Sequence, residues 1–220
     1  MTSDSVEITE HQSAQRTLWA EQRRLGHRWL VTDLVTAGCP LAHAQLLVAT
    51  DHADLLARQN SRELPTCPPT PDRKRGKDPD RQRISYDADL LGAAGRVNRD
   101  VLHHAAVFGP TRWTNLYFPA KWGLFGDPVG GTLANVFGPG IADRRVTSTN
   151  KRRRNTPKAH SDYWRATPST VTQTADQTEH DALTVLRQAV DLDCTVWLGP
   201  LVAELPLSLA LRYPGVASLR

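Results

Sequence analysis

Two short segments constrain the fold of this chain more than anything else in it. Residues 29–37 (W-L-V-T-D-L-V-T-A) and 113–118 (W-T-N-L-Y-F) are β-branched or aromatic and nearly continuous in apolar character. A strand with one wet face alternates apolar and polar residues, and a strand covered on both faces does not. The pair therefore predicts an α/β fold: a mostly parallel sheet with helices packed on its faces.

The rest of the chain offers the covering elements. Leu18, Trp19, Gln22 and Leu25 recur at helical spacing between Ser13, a capping residue, and Gly26, a stop, which predicts a helix over 14–25. The polar residues 1–12 are expected to be a disordered N-terminus. Helices are expected over 41–49, 51–62 and 179–193, the last from Leu183, Leu186 and Val190 on one face. Gly92-Ala-Ala-Gly95 predicts an inserted hairpin with arms 84–90 and 97–107, and a short strand is expected near Val146. Residues 65–83 are rich in Pro, Arg and Asp and read as a surface loop, while 195–212 form an apolar tail broken by Pro200 and Pro206. Residues 13–220 are expected to form one domain.

Composition narrows the class. At 220 residues, 40% hydrophobic and 23% charged, the chain is long enough to bury a sizeable core. It has no apolar run of the roughly 20 residues that cross a bilayer, and its first 15 residues lack a secretory apolar stretch, so a cytoplasmic protein is expected. Cys39, Cys67 and Cys194 are odd in number and lack C-x-x-C spacing, which argues against a disulfide framework or a zinc site. His103 and His104 are adjacent, and neighbours on a strand face opposite ways, so no metal and no cofactor are expected. The net charge of +4 is concentrated in Arg73-Lys74-Arg75 with Lys77 and in Lys151-Arg-Arg-Arg154. No aromatic residues are interleaved with these runs, which reads as solvated loops and disfavours nucleic acid.

In open α/β sheets, functional groups collect on loops beyond the carboxyl ends of strands. Three such loops stand out: Gly38-Cys39-Pro40-Leu41, then Asp127 within G-D-P-V-G-G, then His160 within A-H-S-D-Y-W. A carboxylate followed by a histidine, each after its own strand, is the order of the last two members of a Ser…Asp…His triad. In such a triad the carboxylate fixes the imidazole tautomer while the histidine takes the nucleophile's proton.

The stretches T-D-L-V-T-A-G-C-P-L (32–41), R-W-T-N-L-Y-F-P-A-K-W-G-L-F-G-D-P-V-G-G (112–131) and A-H-S-D-Y-W (159–164) together resemble the C-terminal half of a lipase/esterase-like α/β-hydrolase family, over about residues 15–165. In that family the sixth strand ends in a Gly-Ser-Pro-Leu turn, the seventh leads to the acid in an Asp-Pro-(Val/Ile)-Gly loop, and the eighth precedes His-x-x-Tyr-Trp. The resemblance implies Asp127 as catalytic acid and His160 as catalytic base. It also implies a G-x-S-x-G nucleophile elbow upstream of the first strand, yet Ser3, Ser5 and Ser13 have no flanking glycines and the chain carries no G-x-S-x-G. Cys39 replaces the family's turn serine. As a nucleophile it is disfavoured, because Pro40 removes the backbone N–H that an elbow-type oxyanion hole uses.

The expectation is thus a remnant or fragment of a serine hydrolase that keeps acid and base positions and is inactive alone. Its implied partners are a missing N-terminal half or a second copy, with a small-molecule or lipid ester as substrate once completed. The alternative is a self-sufficient non-enzymatic α/β module that binds protein or nucleic acid.

Overall fold

The computed structural model describes residues 3–73, 82–92, 95–120, 126–148, 152–153, 156–164 and 181–192. Three strands, β1 (Asp33–Ala37), β6 (Arg112–Tyr117) and β7 (Ile141–Arg145), form a parallel sheet in the order β1-β6-β7. Thr36, Asn115 and Asp143 lie side by side in register across it. The sheet is accompanied by α1 (Ser3–Arg24), α2 (Ala44–Leu47), α3 (His52–Asn60), α4 (Ala134–Phe137) and α5 (Ala182–Ala189). Short antiparallel pairs complete the chain: β2 (Asp72–Arg73) with β3 (Gln82–Arg83), and β4 (Ser85–Gly92) with β5 (Gly95–Leu102). The α/β class and the inserted hairpin are as expected from the sequence.

Central strand β6 explains why the sheet has two cores. Leu34, Trp113 and Ile141 pack on one face with Ala44 of α2, Leu55 of α3, Cys67, and Phe137 of α4. Val35 and Leu116 pack on the other with Phe118, Val146, Ala159, Tyr163, and Val185 of α5. Each large side chain buried this way stabilises the fold by about 1.5–3 kcal/mol. At the amino ends of the strands, the Arg112 guanidinium bridges Asp33 of β1 and Asp191 just beyond α5, and Arg16 of α1 meets the same Asp191. Helices α1 and α5 are thereby tied to the end of the sheet opposite the strand-end loops.

Several expected boundaries are corrected. The N-terminus is helical from Ser3 rather than disordered over 1–12, and Ser13 lies inside α1, its carbonyl accepting from the Thr17 hydroxyl. Glu7 and Glu10 fall in the N-terminal half of the helix and Arg23 and Arg24 in its last turn, the arrangement a helix dipole favours. The helix is anchored by Gln15, whose amide donates to the Phe108 and Thr111 carbonyls at 2.8 and 3.0 Å. Strand β1 starts at Asp33, and Leu30 ahead of it is 70% exposed, so residues 29–32 are not the doubly covered strand their apolar character predicts. The helix expected over 41–49 is a 3₁₀ turn, Pro40–His43, followed by the single turn of α2. The strand near Val146 ends one residue earlier, and the second hairpin arm gives way at His104 to a 3₁₀ turn. The apolar tail 195–212 lies outside the described residues. Among the described residues no helix is long and apolar enough to cross a membrane.

Candidate functional site

The carboxyl ends of all three parallel strands converge. Gly38 follows β1, Asp127 lies on the loop after β6, and His160 sits in the 3₁₀ turn Pro157–Asp162 that follows β7. Gly38 makes the convergence possible. Its φ is +59°, and a Cβ built there would stand 2.6 Å from Tyr163 Cε2 and 3.0 Å from His160 Cε1. Gly130 is equally confined, since a Cβ there would lie 2.8 Å from Asp127 Oδ2.

Within this space His160 Nδ1 lies 3.0 Å from Asp127 Oδ1 and 3.1 Å from Oδ2. The carboxylate is fully buried, whereas the imidazole is 45% exposed. Three further donors meet that carboxylate: the Tyr163 hydroxyl at 2.7 Å, the Val129 N–H at 2.9 Å, and the Gly130 N–H beside it. Burial works to raise the Asp127 pKa, but the hydrogen bonds from Tyr163, His160, Gly130 and Val129 outweigh it and hold the group below the ordinary carboxylate range. An ionised Asp127 accepts only, so His160 Nδ1 must carry the proton toward it. The other ring nitrogen, Nε2, makes no hydrogen bond among the described residues, and in a neutral ring protonated on Nδ1 it is the one that can accept a proton. Chemically, such an arrangement can hold an imidazole in one tautomer.

The loops carrying the pair are pinned from below. Asn115, fully buried on β6, accepts from the Thr36 hydroxyl at 2.9 Å and donates to the Gly131 carbonyl at 2.8 Å and to Asp143 Oδ1 at 2.7 Å. Asp143 in turn takes the Leu133 and Ala134 N–H groups at 2.9 Å each. This three-strand polar ladder fixes residues 131–134, immediately after the acid loop, and His43 Nε2 meets the Pro128 carbonyl at 3.1 Å on the loop itself. The histidine segment is held separately: Asp162 accepts from the Ser148 hydroxyl at 2.6 Å and lies against the Arg153 guanidinium.

Cys39 is half-buried and packs against the Trp113 side of the core, and its thiol makes no hydrogen bond among the described residues. It is not joined to His160. His103 is buried, stacked on Tyr86, with Arg62 Nε donating to its Nε2 at 3.1 Å, and burial followed by the Arg62 charge lowers its pKa. Among the described residues no group of His, Cys, Asp or Glu is placed to hold a metal ion. Of the two basic runs, Lys74, Arg75, Lys77, Lys151 and Arg154 lie outside the described residues, and Arg153 is committed to Asp162, Lys158 and Ser161.

Residues that the sequence reading did not single out include Thr36, Asn115, Asp143, Ser148 and Asp162. No local pattern signals the ladder, whose members meet only through strand register. No protein-family model, curated protein or solved structure matches the chain.

Proposed function

We propose that this chain carries the acid and base of a lipase/esterase-like serine hydrolase, with Asp127 orienting His160 to take a proton from a hydroxyl nucleophile that the chain does not itself contain. The observation that carries the reading is the 3.0 Å contact between His160 Nδ1 and the buried Asp127 carboxylate, made between loops that follow neighbouring parallel strands. A surface histidine that merely caps a turn needs neither a fully buried carboxylate partner nor three further donors fixing that carboxylate. The chain supplies half of an acyl-transfer site, and an ester of a small molecule or lipid is the substrate class that half serves.

The test begins in the DNA upstream of Met1. An in-frame G-x-S-x-G there, expressed together with this chain, should give ester hydrolysis that falls by roughly 10³–10⁴-fold in His160→Gln and in Asp127→Asn. Activity indifferent to both substitutions rejects the assignment.

A second reading is favoured by a different observation. Leu30, Leu46 and Leu47, before and after β1, are 70%, 75% and 58% exposed. Apolar surface of this kind suits a non-enzymatic module that docks another protein. In that reading the absence of an upstream elbow is expected, and the Asp127–His160 pair serves only to hold two loops together.

A further inference from the structure

We infer that Tyr163 is the positioning residue of the Asp127–His160 pair: its hydroxyl fixes the carboxylate that in turn fixes the imidazole. The inference rests on the acid–base reading above and extends it to a residue outside the pair.

The direction of the phenolic proton follows from its neighbours. The Phe118 N–H donates to the Tyr163 oxygen at 2.9 Å, and an amide N–H has no other role to play. The hydroxyl's single proton is therefore left for Asp127 Oδ2, 2.7 Å away. With Tyr163, Val129 and Gly130 donating, the carboxylate's remaining direction points at His160 Nδ1. Rotation of the carboxylate would break the Tyr163 and Val129 hydrogen bonds together, so the acceptor offered to His160 stays in place.

Packing holds the phenol where this requires. Tyr163 is 3% exposed, stacks on Phe118 with centroids 4.2 Å apart, and meets the His160 ring edge-on at 6.2 Å. Its ring edge lies where a Cβ on Gly38 would be, and its hydroxyl 3.2 Å from where one on Gly130 would be. One side chain thus touches the end of β6, the turn after β1, the acid loop and the base. Burial pushes the phenol's pKa well above its ordinary value, so it remains a donor throughout the neutral range. The other titratable groups around the pair are His43, on the Pro128 carbonyl, and Asp162, engaged by Ser148 and Arg153.

The experiment is a pH titration of the full chain with ¹⁵N-labelled histidine, His160 being assigned with His160→Gln. In the unaltered chain the neutral ring should carry its proton on Nδ1, and the ring resonances should show a separate change at acid pH as Asp127 is protonated, which Asp127→Asn should abolish. Tyr163→Phe keeps the ring and removes the donor. It should raise the acid-side midpoint by about 1–2 pH units, the effect of losing one hydrogen bond to a charged group, and reduce the Nδ1-protonated population. A folded Tyr163→Phe chain with the midpoint and tautomer of the unaltered chain overturns the inference while leaving the pair intact. If Asp127→Asn changes nothing, the acid–base reading itself fails. Should Tyr163→Phe not fold, 3-fluorotyrosine incorporated in the unaltered chain replaces it, with Tyr163 assigned by substituting Tyr86, Tyr117 and Tyr213. Its ¹⁹F resonance should move with the Asp127 midpoint, and a resonance flat through that range overturns the inference.

Discussion

Asn115 and Asp143 are direct neighbours across β6 and β7, and the Asn115 amide donates to the Asp143 carboxylate at 2.7 Å beneath the loop that follows the acid. Because Asp143 also takes two backbone N–H groups of residues 133 and 134, this contact joins the sheet to the start of α4. A buried polar pair of this kind is worth little if both members are replaced by apolar groups, but costly if one is left alone.

The ladder is therefore expected to behave as a unit. Asp143→Ala, which strands Asn115 and both N–H groups, should cost about 2–4 kcal/mol of stability. Asn115→Leu should cost about 1–3 kcal/mol alone, and the double variant should fall short of the sum by more than about 0.5 kcal/mol. Urea unfolding of the four proteins measures this. Strict additivity would mean that the two residues act independently of each other.

The Gly38 turn yields a sharper steric expectation. Gly38→Ala places a methyl 2.6 Å from Tyr163 Cε2 in a backbone conformation that side chains avoid. The combined strain should cost about 2–4 kcal/mol. It should also displace the Tyr163 and His160 rings, so the His160 resonances should shift even where the protein remains folded. An unperturbed His160 spectrum would show that the turn does not press on the pair.

How much of this was legible beforehand differs by element. Strands β1 and β6 were readable because apolar, β-branched runs ending in Gly or Pro turns have few other solutions, and Asp127 and His160 stood out because each follows such a run. The ladder was not readable, since Thr36, Asn115 and Asp143 are far apart in the chain and meet only through strand register. The length of α1 was hidden because Gln15 looks like a surface residue. It is 3% exposed, and its amide is spent on the carbonyls of Phe108 and Thr111. Tyr163 was visible only as part of the His-x-x-Tyr-Trp pattern; what its hydroxyl does depends on where Asp127 lies, which no local pattern encodes.

Stability should fall at both ends of the pH scale, for different groups. Asp127 is held below the ordinary carboxylate range, so its contribution is full above the unfolded carboxyl's pKa of roughly 4 and is lost as pH drops through the lower folded value. Asp127→Asn should flatten that acid limb. Burial pushes the Cys67 thiol up to about 12 and the Tyr163 phenol up as well. Their contributions are full below the unfolded values and are lost as pH rises toward the folded ones. Thermal melts across pH 2–11 check both limbs, with the pH range chosen to bracket about 4 and about 10. In the same protein, native alkylation near pH 8 should leave Cys67 unmodified, because it is both buried and protonated.

Alone, the chain should show no turnover of an activated ester beyond that of free imidazole, since an oriented base with no attached nucleophile lacks the covalent step. Turnover that disappears in Cys39→Ala would mean that the thiol reaches the pair in solution, which its packing on the opposite core argues against.

Strand β1 is half-buried along its whole length and pairs with β6 on one side, with no partner on its other side among the described residues. Leu30 and Val31 lead into it at 70% and 44% exposed, and Leu46 and Leu47 follow at 75% and 58%. An unpaired strand edge flanked by apolar side chains offers both hydrogen-bonding groups and hydrophobic area to another chain. Size-exclusion chromatography with an apolar fluorescent dye should accordingly show dye binding or a species larger than a monomer. Replacing Leu30 and Leu46 with Lys should reduce either signal without unfolding the protein, because neither side chain belongs to the buried core. A dye-silent monomer would mean that the rest of the chain already closes this side of the sheet, the result expected of a self-sufficient module rather than of half a hydrolase.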